Sequence, residues 1–268
     1  MTCVYPTKGL LSIPTRQRIL LATALVLVDD TLPGADATVR NHRGIFDALC
    51  AMTIGTVHQR DIVIKMSMTR DPIATLLACI KDTTRVAQTM HADPVLYLVI
   101  NGHSTLYRGQ DAIDHATKSG ETPFLARDGS TVRFSCLRYN GTDILTPSMT
   151  RTLLETIRDA GIRRTLVFFD TCHSMSLVSA LLCPAIDLRI IHSSGEDEKT
   201  WQDQSQGSVM SCVWAQACAQ RLEALAHLDS SLRTQALLTI LYETIQTAAK
   251  IIASQILTAG PSHEFWVF

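Results

Sequence analysis

Short apolar runs alternate with longer stretches of helical periodicity along the chain. The runs are of strand length and occupy 19–28, 61–66, 95–100, 165–169, 188–191 and 264–268. Apolar residues at helical spacing occupy 36–51, 72–90, 146–160, 208–226 and 231–256. Continuous apolar runs are typical of strands that are buried on both faces of a sheet. The alternation therefore predicts an α/β fold, with about six strands in a mostly parallel sheet flanked by helices.

Two polar segments interrupt this alternation. Residues 104–145 carry scattered Gly, Asp, Thr and Arg with weak periodicity, and residues 193–207 are almost entirely polar. Long segments without periodicity in a compact domain are usually functional or disordered, so no regular element is predicted in either. Residues 1–15 are predicted to be a flexible leader, and residues 16–268 a single domain.

Composition excludes several classes of function. Of the 268 residues, 46% are apolar and 18% charged, with a formal net charge of −1, so we expect a globular protein that binds neither nucleic acid nor a membrane. The apolar run at 19–28 is too short to span a bilayer and is followed by no cleavage site of the signal-peptide type. The eight cysteines form no C-x-x-C pair, which gives little support to a zinc site. We expect a cytoplasmic protein, with most of its thiols buried.

Candidate chemistry follows two of the predicted strands. The run at 95–100 leads into Asn-Gly-His-Ser (101–104), and the run at 165–169 leads into Asp-Thr-Cys-His-Ser (170–174). Ligands of parallel sheets bind beyond the carboxyl ends of the strands, so neighbouring strands would bring His103 and Cys172 together. A thiol near its ordinary pKa needs a base to become a nucleophile. The amides of Gly102 and Cys172 are predicted to form an oxyanion hole, and Gly102 is expected to leave room for a substrate backbone.

Spacing alone leaves alternatives open. A lone cysteine is more often a packed apolar residue than a nucleophile, and a lone histidine is more often a surface residue. His173 is a rival base for Cys172, although adjacent positions usually point in different directions.

Together the two motifs resemble those of the metacaspases, which are cysteine peptidases with a caspase-like fold. V-I-N-G-H-S (99–104) and V-F-F-D-T-C-H-S (167–174) stand where that family has S-G-H-G and D-S-C-H-S. Weaker similarity at 18–36, 193–203 and 261–268 extends the resemblance over roughly residues 16–268. The resemblance implies a three-layer caspase-like fold and a monomeric cysteine endopeptidase with His103 and Cys172 as its dyad. Departures from the family pattern are Ser104 and Met175, which replace glycines, and Thr171, which replaces serine.

The resemblance also implies a specificity. Metacaspases cleave polypeptides after Arg or Lys, and Asp170 matches an acidic residue of their pocket for that side chain. The alternative is that Asp170 caps the helix that follows it. A second pocket acid is left open among three residues: Asp111, Asp114 and Asp128. Ser193, Ser194 and Trp201 are further predicted substrate-binding residues.

No cofactor is predicted for the chemistry itself, but the resemblance suggests activation by calcium. Asp197, Glu198 and Asp203 are candidate calcium ligands because carboxylate oxygens suit this ion, and the alternative is a solvated acidic loop. Self-processing would use exposed basic residues; the candidate cleavage sites are Arg127, Arg138 and Lys199.

Two other functions remain candidates. Legumain and the catalytic subunit of glycosylphosphatidylinositol transamidase share a His-Gly and an Asp-x-Cys arrangement, and Ser193 to Asp197 resembles a stretch of that transamidase. This would make the chain an asparaginyl peptidase or a transpeptidase. The third candidate is an inactive caspase homologue that binds partners, against which the presence of both Cys172 and His103 argues.

Overall fold

A computed structural model describes residues 18–28, 30, 34–52, 56–126, 128–162, 164–178, 187–194, 197, 200, 202–203, 206–226 and 243. In chain order its elements are β1 (Arg18–Leu27), α1 (Ala35–Met52), β2 (Thr56–Lys65), a 3-10 turn (Met66–Met68), α2 (Pro72–Thr89), β3 (Asp93–Gly102), β4 (Ser104–Arg108), α3 (Gly109–Lys118), β5 (Phe124–Leu125), β6 (Val132–Tyr139), β7 (Thr142–Leu145), α4 (Pro147–Asp159), β8 (Arg164–Thr171), α5 (Ser174–Val178), β9 (Asp187–His192), β10 (Gln202–Asp203), β11 (Gly207–Ser208) and α6 (Val209–Ala226).

The central sheet has five strands within the described residues, in the order β2-β1-β3-β8-β9, and every neighbouring pair is parallel. Helices α2 and α4 pack on one face, while α1 and α6 pack on the other and against each other. The predicted α/β architecture, a parallel sheet flanked by helices, is confirmed. The predicted sixth strand at 264–268 and, apart from Glu243, the helix at 231–256 lie outside the described residues.

Side-chain alternation divides the strands between two cores. Ala22, Ala24 and Val26 of β1 join the core beneath α2 and α4, whereas Ile19 and Leu21 join the core beneath α1. Because both faces of the sheet are covered, both sets are apolar, which is the pattern that predicts a parallel sheet.

Two helices begin with a side-chain cap. Thr146 caps α4, with its hydroxyl accepting a hydrogen bond from the amide of Met149 at 3.3 Å, and Pro147 occupies the first helical position. Asp71 caps α2 through the amide of Ala74 at 2.8 Å. Each cap satisfies a backbone donor that the helix itself leaves without a partner.

The expectation that residues 104–145 lack regular structure is wrong. They form a second, antiparallel sheet of β4, β5, β6 and β7, covered by α3. The helical signal of α3 is weak because its buried face consists only of Ala112 and Ala116. Strand β6 is buried along most of its length yet contains polar residues, so it shows neither a continuous apolar run nor a clear alternation.

The predicted start of the second strand at residue 61 is also wrong, since β2 begins at Thr56. This strand lies at the edge of the sheet, where polar side chains can reach solvent. Arg60 contacts the carboxylate of Asp82. The carboxylate of Asp61 pairs with the guanidinium of Arg43 at 3.1 Å. The polar first half of β2 therefore gives no strand signal in the sequence.

Gly102 ends β3 at a place of close approach. A Cβ atom at this position would lie 2.8 Å from the Cβ of Val28 and 3.5 Å from Leu137 Cδ1. The amide of Val28 donates to the carbonyl of Asn101 at 2.9 Å, which holds the end of β1 against this point. Glycine is required here by packing between the two sheets. On the side where a side chain would lie, Val28 occupies the space that was expected to be open to a substrate backbone.

We predict that Gly102→Ala destabilises the protein by about 1–3 kcal/mol, because the added methyl group overpacks a buried site. Gly44→Ala is the matched control, since a Cβ at this exposed position in α1 would meet only Ala215 Cβ at 3.8 Å. The control should stabilise the helix by roughly 0.5–1 kcal/mol. Urea unfolding measures both, and equal stability of Gly102→Ala and the parent would contradict the packing argument.

Candidate active site

His103 and Cys172 follow the ends of two strands that are direct neighbours. Strands β3 and β8 pair in parallel, with Gly102 opposite Thr171, so the next residue of each chain segment leaves the sheet at the same edge. Neighbouring strands are about 4.8 Å apart, which places the two backbones within reach of a side-chain contact. The condition on which the predicted dyad depended, that these strands are adjacent, is met.

The histidine loop is bound to the cysteine turn by a hydrogen bond that the sequence did not suggest. Ser104 is buried, and its hydroxyl donates to the carbonyl oxygen of Cys172. The carbonyl of His103 accepts from the amide of Arg138 in β6 at 3.0 Å. In the sequence, Ser104 is distinguished only by its replacement of a glycine in the metacaspase-like motif. In the structure its side chain joins the two candidate catalytic loops.

The turn that carries Cys172 is held by serines that follow β9. Ser194 donates from its hydroxyl to the carbonyl of Thr171 at 2.8 Å, and its amide donates to the hydroxyl of Ser174 at 3.0 Å. Ser193 donates to the same Thr171 carbonyl at 3.3 Å. Both serines are buried, so the contacts observed for these predicted substrate-binding residues are with the turn itself.

His173, the rival base, lies in an unusual conformation. Its φ is +51°, in the left-handed region that residues other than glycine seldom adopt. Its side chain is buried, whereas that of His103 is exposed to solvent. Such strain is common in the tight turns of functional sites, where surrounding hydrogen bonds hold the backbone in place.

Cys172 differs from the buried thiols of the protein in its exposure. It is half-buried, with its sulfur 4.0 Å from the carbonyl oxygen of Thr200. Burial raises the pKa of Cys50 to about 12 and that of Cys218 to about 11, and it raises the pKa of Cys136 further. Because the thiolate is the reactive form, these raised pKa values slow the reaction of all three thiols with electrophiles at neutral pH.

Asp170 is fully buried in a polar cluster between β8 and α6. Its two carboxylate oxygens accept hydrogen bonds from the hydroxyls of Ser208 at 2.7 Å and Ser211 at 2.6 Å. His42 Nε2 lies 3.8 Å from the carboxylate and 3.1 Å from the Ser211 hydroxyl. The alternative that Asp170 caps the following helix α5 is wrong, because its partners are the hydroxyls of Ser208 in β11 and of Ser211 in the first turn of α6. A helix N-terminus stabilises a nearby negative charge, which compensates this carboxylate.

The cluster around Asp170 could not have been found from sequence spacing. His42 also bonds the hydroxyl of Tyr97 at 3.1 Å, and burial together with the nearby Asp170 carboxylate raises the pKa of Tyr97 well above its usual value. The only sequence signal was a pair of serines, Ser208 and Ser211, at the boundary between β11 and an apolar first turn of α6.

The candidate calcium ligands are only partly described. Asp197 bonds Arg108 at 2.9 Å and Arg133 at 2.5 Å through its two oxygens. Partial burial opposes ionisation of Asp197, but these two hydrogen bonds hold its pKa below the ordinary range. Because both oxygens of Asp197 already bind guanidinium groups, this carboxylate does not fit the role of a calcium ligand. Asp203 lies in β10, and Glu198 and Trp201 lie outside the described residues.

The open candidates for a second pocket acid lie on the surface of the second sheet and its helix. Asp111 and Asp114 are exposed on α3, and Asp114 accepts from Gln110 at 2.8 Å. Asp128 is exposed in the turn before β6. Of the suggested self-cleavage sites, Arg138 is half-buried within β6, which is a poor conformation for a scissile segment, and Arg127 and Lys199 lie outside the described residues.

The described residues thus define a class of protein: an α/β protein with a thiol and an imidazole following adjacent parallel strands. The structure is similar to caspase-1 from Spodoptera frugiperda, with 15% sequence identity and a TM-score of 0.42 over 86% of this chain and 77% of that chain. No protein-family model and no curated protein sequence matches the chain. No helix among the described residues is long and apolar enough to cross a bilayer.

Thiol labelling tests the contrast between Cys172 and the buried cysteines. In the native protein at pH 7, iodoacetamide should modify Cys172 while Cys50, Cys136 and Cys218 stay protected, because a thiol with a pKa of about 11 is ionised in only about one molecule in ten thousand. Peptide mapping by mass spectrometry gives the extent of modification at each position. Labelling in denaturant is the control and should reach all four. Protection of Cys172 equal to that of Cys218 would contradict an accessible nucleophile.

Proposed function

We propose that the protein is a cysteine endopeptidase with a caspase-like arrangement, in which Cys172 is the nucleophile and His103 its base. The observation that carries this proposal is the register of β3 and β8, which sets Gly102 opposite Thr171. The half-buried thiol and the exposed imidazole then follow paired positions at the ligand-binding edge of a parallel sheet.

The proposed reaction has two steps. The Cys172 thiol passes its proton to the His103 imidazole, its sulfur bonds to the scissile carbonyl carbon, and the departing amine takes the proton as the C–N bond breaks. Water then attacks the thioester, releases the carboxylate product and restores the thiol. The amides of Gly102 and Cys172 are the proposed donors to the developing oxyanion.

We propose a basic residue at the P1 position of a polypeptide substrate. Asp170 supports this proposal because its carboxylate lies two residues before the nucleophile, and such a group attracts a guanidinium or ammonium ion. Its complete burial and its bonds to Ser208 and Ser211 oppose it, because the substrate charge would have to reach that cluster. A preference for Arg or Lys therefore requires the substrate side chain to displace these serine hydroxyls or to act on the carboxylate across them.

Oligomeric state, cellular location, self-processing and calcium play no part in the proposed mechanism. Activity as a monomer and self-processing are expected from the metacaspase resemblance alone, and a cytoplasmic location is expected from the cysteine pattern. Because Asp197 is held by Arg108 and Arg133, no step is assigned to calcium.

Cleavage of an asparaginyl bond is the second candidate. It is supported by a histidine beside a glycine, here Gly102-His103, and by the Asp-x-Cys arrangement of residues 170–172. The Asp170 cluster distinguishes the two candidates, since a neutral carboxamide would gain less from a buried carboxylate than a guanidinium would.

A panel of fluorogenic peptides with Arg, Lys, Asn or Asp at P1 tests the reaction, with and without calcium. We expect cleavage after Arg and Lys, lost by at least about a thousandfold in Cys172→Ala and His103→Ala because both members of a catalytic unit are needed. Cys79→Ala is the matched control, since this half-buried thiol lies on α2, away from the site, and should keep full activity. Undiminished cleavage by Cys172→Ala would remove the proposal, and cleavage confined to Asn would establish the second candidate.

Ser104→Ala tests the bond between the two candidate catalytic loops. Loss of one hydrogen bond of about 1 kcal/mol should lower kcat/KM roughly fivefold, mainly through kcat, because the position of the thiol relative to the imidazole changes and the substrate contacts do not. Ser104→Thr, which keeps a hydroxyl, should restore part of the rate. Ser130→Ala, in an exposed turn, is the surface control. Equal kinetics for Ser104→Ala and the parent would show that the bond has no role in positioning.

A further inference from the structure

The second sheet contains a cluster of side chains that the proposed peptidase chemistry does not use. His115 comes from α3, Cys136 from β6 and Asp143 from β7. One ligand atom of each lies within 4.8 Å of the others. No sequence motif connects these positions, so only the topology of the sheet brings an imidazole, a thiol and a carboxylate to one point.

The distances within the cluster match those of a tetrahedral metal site. Asp143 Oδ1 lies 3.3 Å from His115 Nε2 and 3.4 Å from Cys136 Sγ. A zinc ion with bonds of about 2.0–2.3 Å separates its ligand atoms by about 3.3–3.6 Å. Two edges of the ligand triangle therefore already have the required length. The third, between a ring nitrogen of His115 and the sulfur of Cys136, is at most 4.8 Å.

Neighbouring groups hold two of the three candidate ligands in place. The ring of Tyr107 stacks on the imidazole of His115 with centroids 4.1 Å apart and planes inclined by 14°. Ser119 donates to Asp143 Oδ2 at 2.8 Å. Outer contacts of this kind orient the ligands of natural metal sites. Cys136 is completely buried, but the side chains of His115 and Asp143 are 16% and 18% exposed, which leaves a path for an ion and for water as a fourth ligand.

Arg138 is the group that opposes a cation here. Its Nε lies 2.9 Å from Asp143 Oδ1, and its terminal nitrogens bond the Tyr107 hydroxyl and the carbonyl of Gly141. A divalent ion would share the carboxylate with this guanidinium, which reduces its affinity. The same contact makes the guanidinium an outer partner of the carboxylate once an ion is bound.

We propose that His115, Cys136 and Asp143 form a binding site for a zinc-like divalent ion. Imidazole and thiolate ligands select such an ion over calcium or magnesium, which prefer oxygen ligands alone. On binding, the thiol of Cys136 releases its proton to solvent and its sulfur bonds to the metal. Cys136 pairs with Thr105 of β4, the strand that begins directly after His103, so the bound ion would brace the sheet on which the candidate catalytic histidine depends.

Cobalt(II) titration of the full chain tests this site. The Cys172→Ala variant is used as the parent, so that binding at the proposed peptidase site makes no contribution. We expect one ion per chain, with near-ultraviolet charge-transfer absorption from a cobalt–thiolate bond, which zinc then displaces. Adding Cys136→Ser should abolish that absorption, and adding His115→Ala should weaken binding by about tenfold or more. Arg138→Gln, which removes the competing charge, should tighten binding.

Two controls keep the result interpretable. Cys79→Ser in the same parent removes a thiol outside the cluster and should leave the cobalt absorption unchanged. Circular dichroism shows whether each variant is folded; if Cys136→Ser is not, the His115→Ala result decides, because its side chain lies on the solvent side of the cluster. Absence of thiolate absorption in the folded parent, or absorption that survives His115→Ala at full strength, would overturn the proposal.

Discussion

The parallel pairing of β3 with β8 is the constraint on which the rest of the site depends. This pairing is maintained by apolar residues that alternate between two cores, with Leu98 and Ile100 of β3 beside Val167 and Phe169 of β8 on one face. A shift by one residue would exchange the two faces of a strand and bury its side chains in the wrong core. The hydrophobic pattern therefore fixes the register, and the register fixes which residues leave the sheet together at its carboxyl edge.

Polar contacts then hold the turn that carries Cys172 at the end of β8. The hydroxyls of Ser104 and Ser194 bind backbone carbonyls on either side of the sulfur, those of Cys172 and Thr171. One residue before Thr171, the Asp170 carboxylate accepts hydrogen bonds from the hydroxyls of Ser208 in β11 and Ser211 in α6. Buried polar groups are costly unless they are paired, and such networks favour one arrangement over its alternatives. The candidate nucleophile therefore lies in a turn that is held by three sets of hydrogen bonds: from Ser104, from Ser194 and through Asp170.

The sequence could predict the elements whose burial is complete and whose composition is apolar. The strands β1, β3 and β8 and the helix α4 could be predicted from the sequence, and so could the positions of His103 and Cys172 directly after two of these strands. The second sheet could not be predicted from the sequence, because α3 buries only two alanines and β6 mixes polar with apolar residues in a buried strand. Contacts between distant segments, such as Asp170 with Ser211, leave no periodic signal at all.

The same second sheet decides how firmly the imidazole is held. Strand β3 ends at Gly102 and β4 begins at Ser104, so His103 is the only residue between a strand of the parallel sheet and a strand of the antiparallel one. Two strands from different sheets meet there at a distance that excludes even a methyl group on Gly102. A displacement of β4 relative to β3 must then be absorbed at His103 itself, because the neighbours on both sides are buried and hydrogen-bonded. Contacts that stiffen the antiparallel sheet, including those around Cys136, therefore act on the geometry between imidazole and thiol without touching either group.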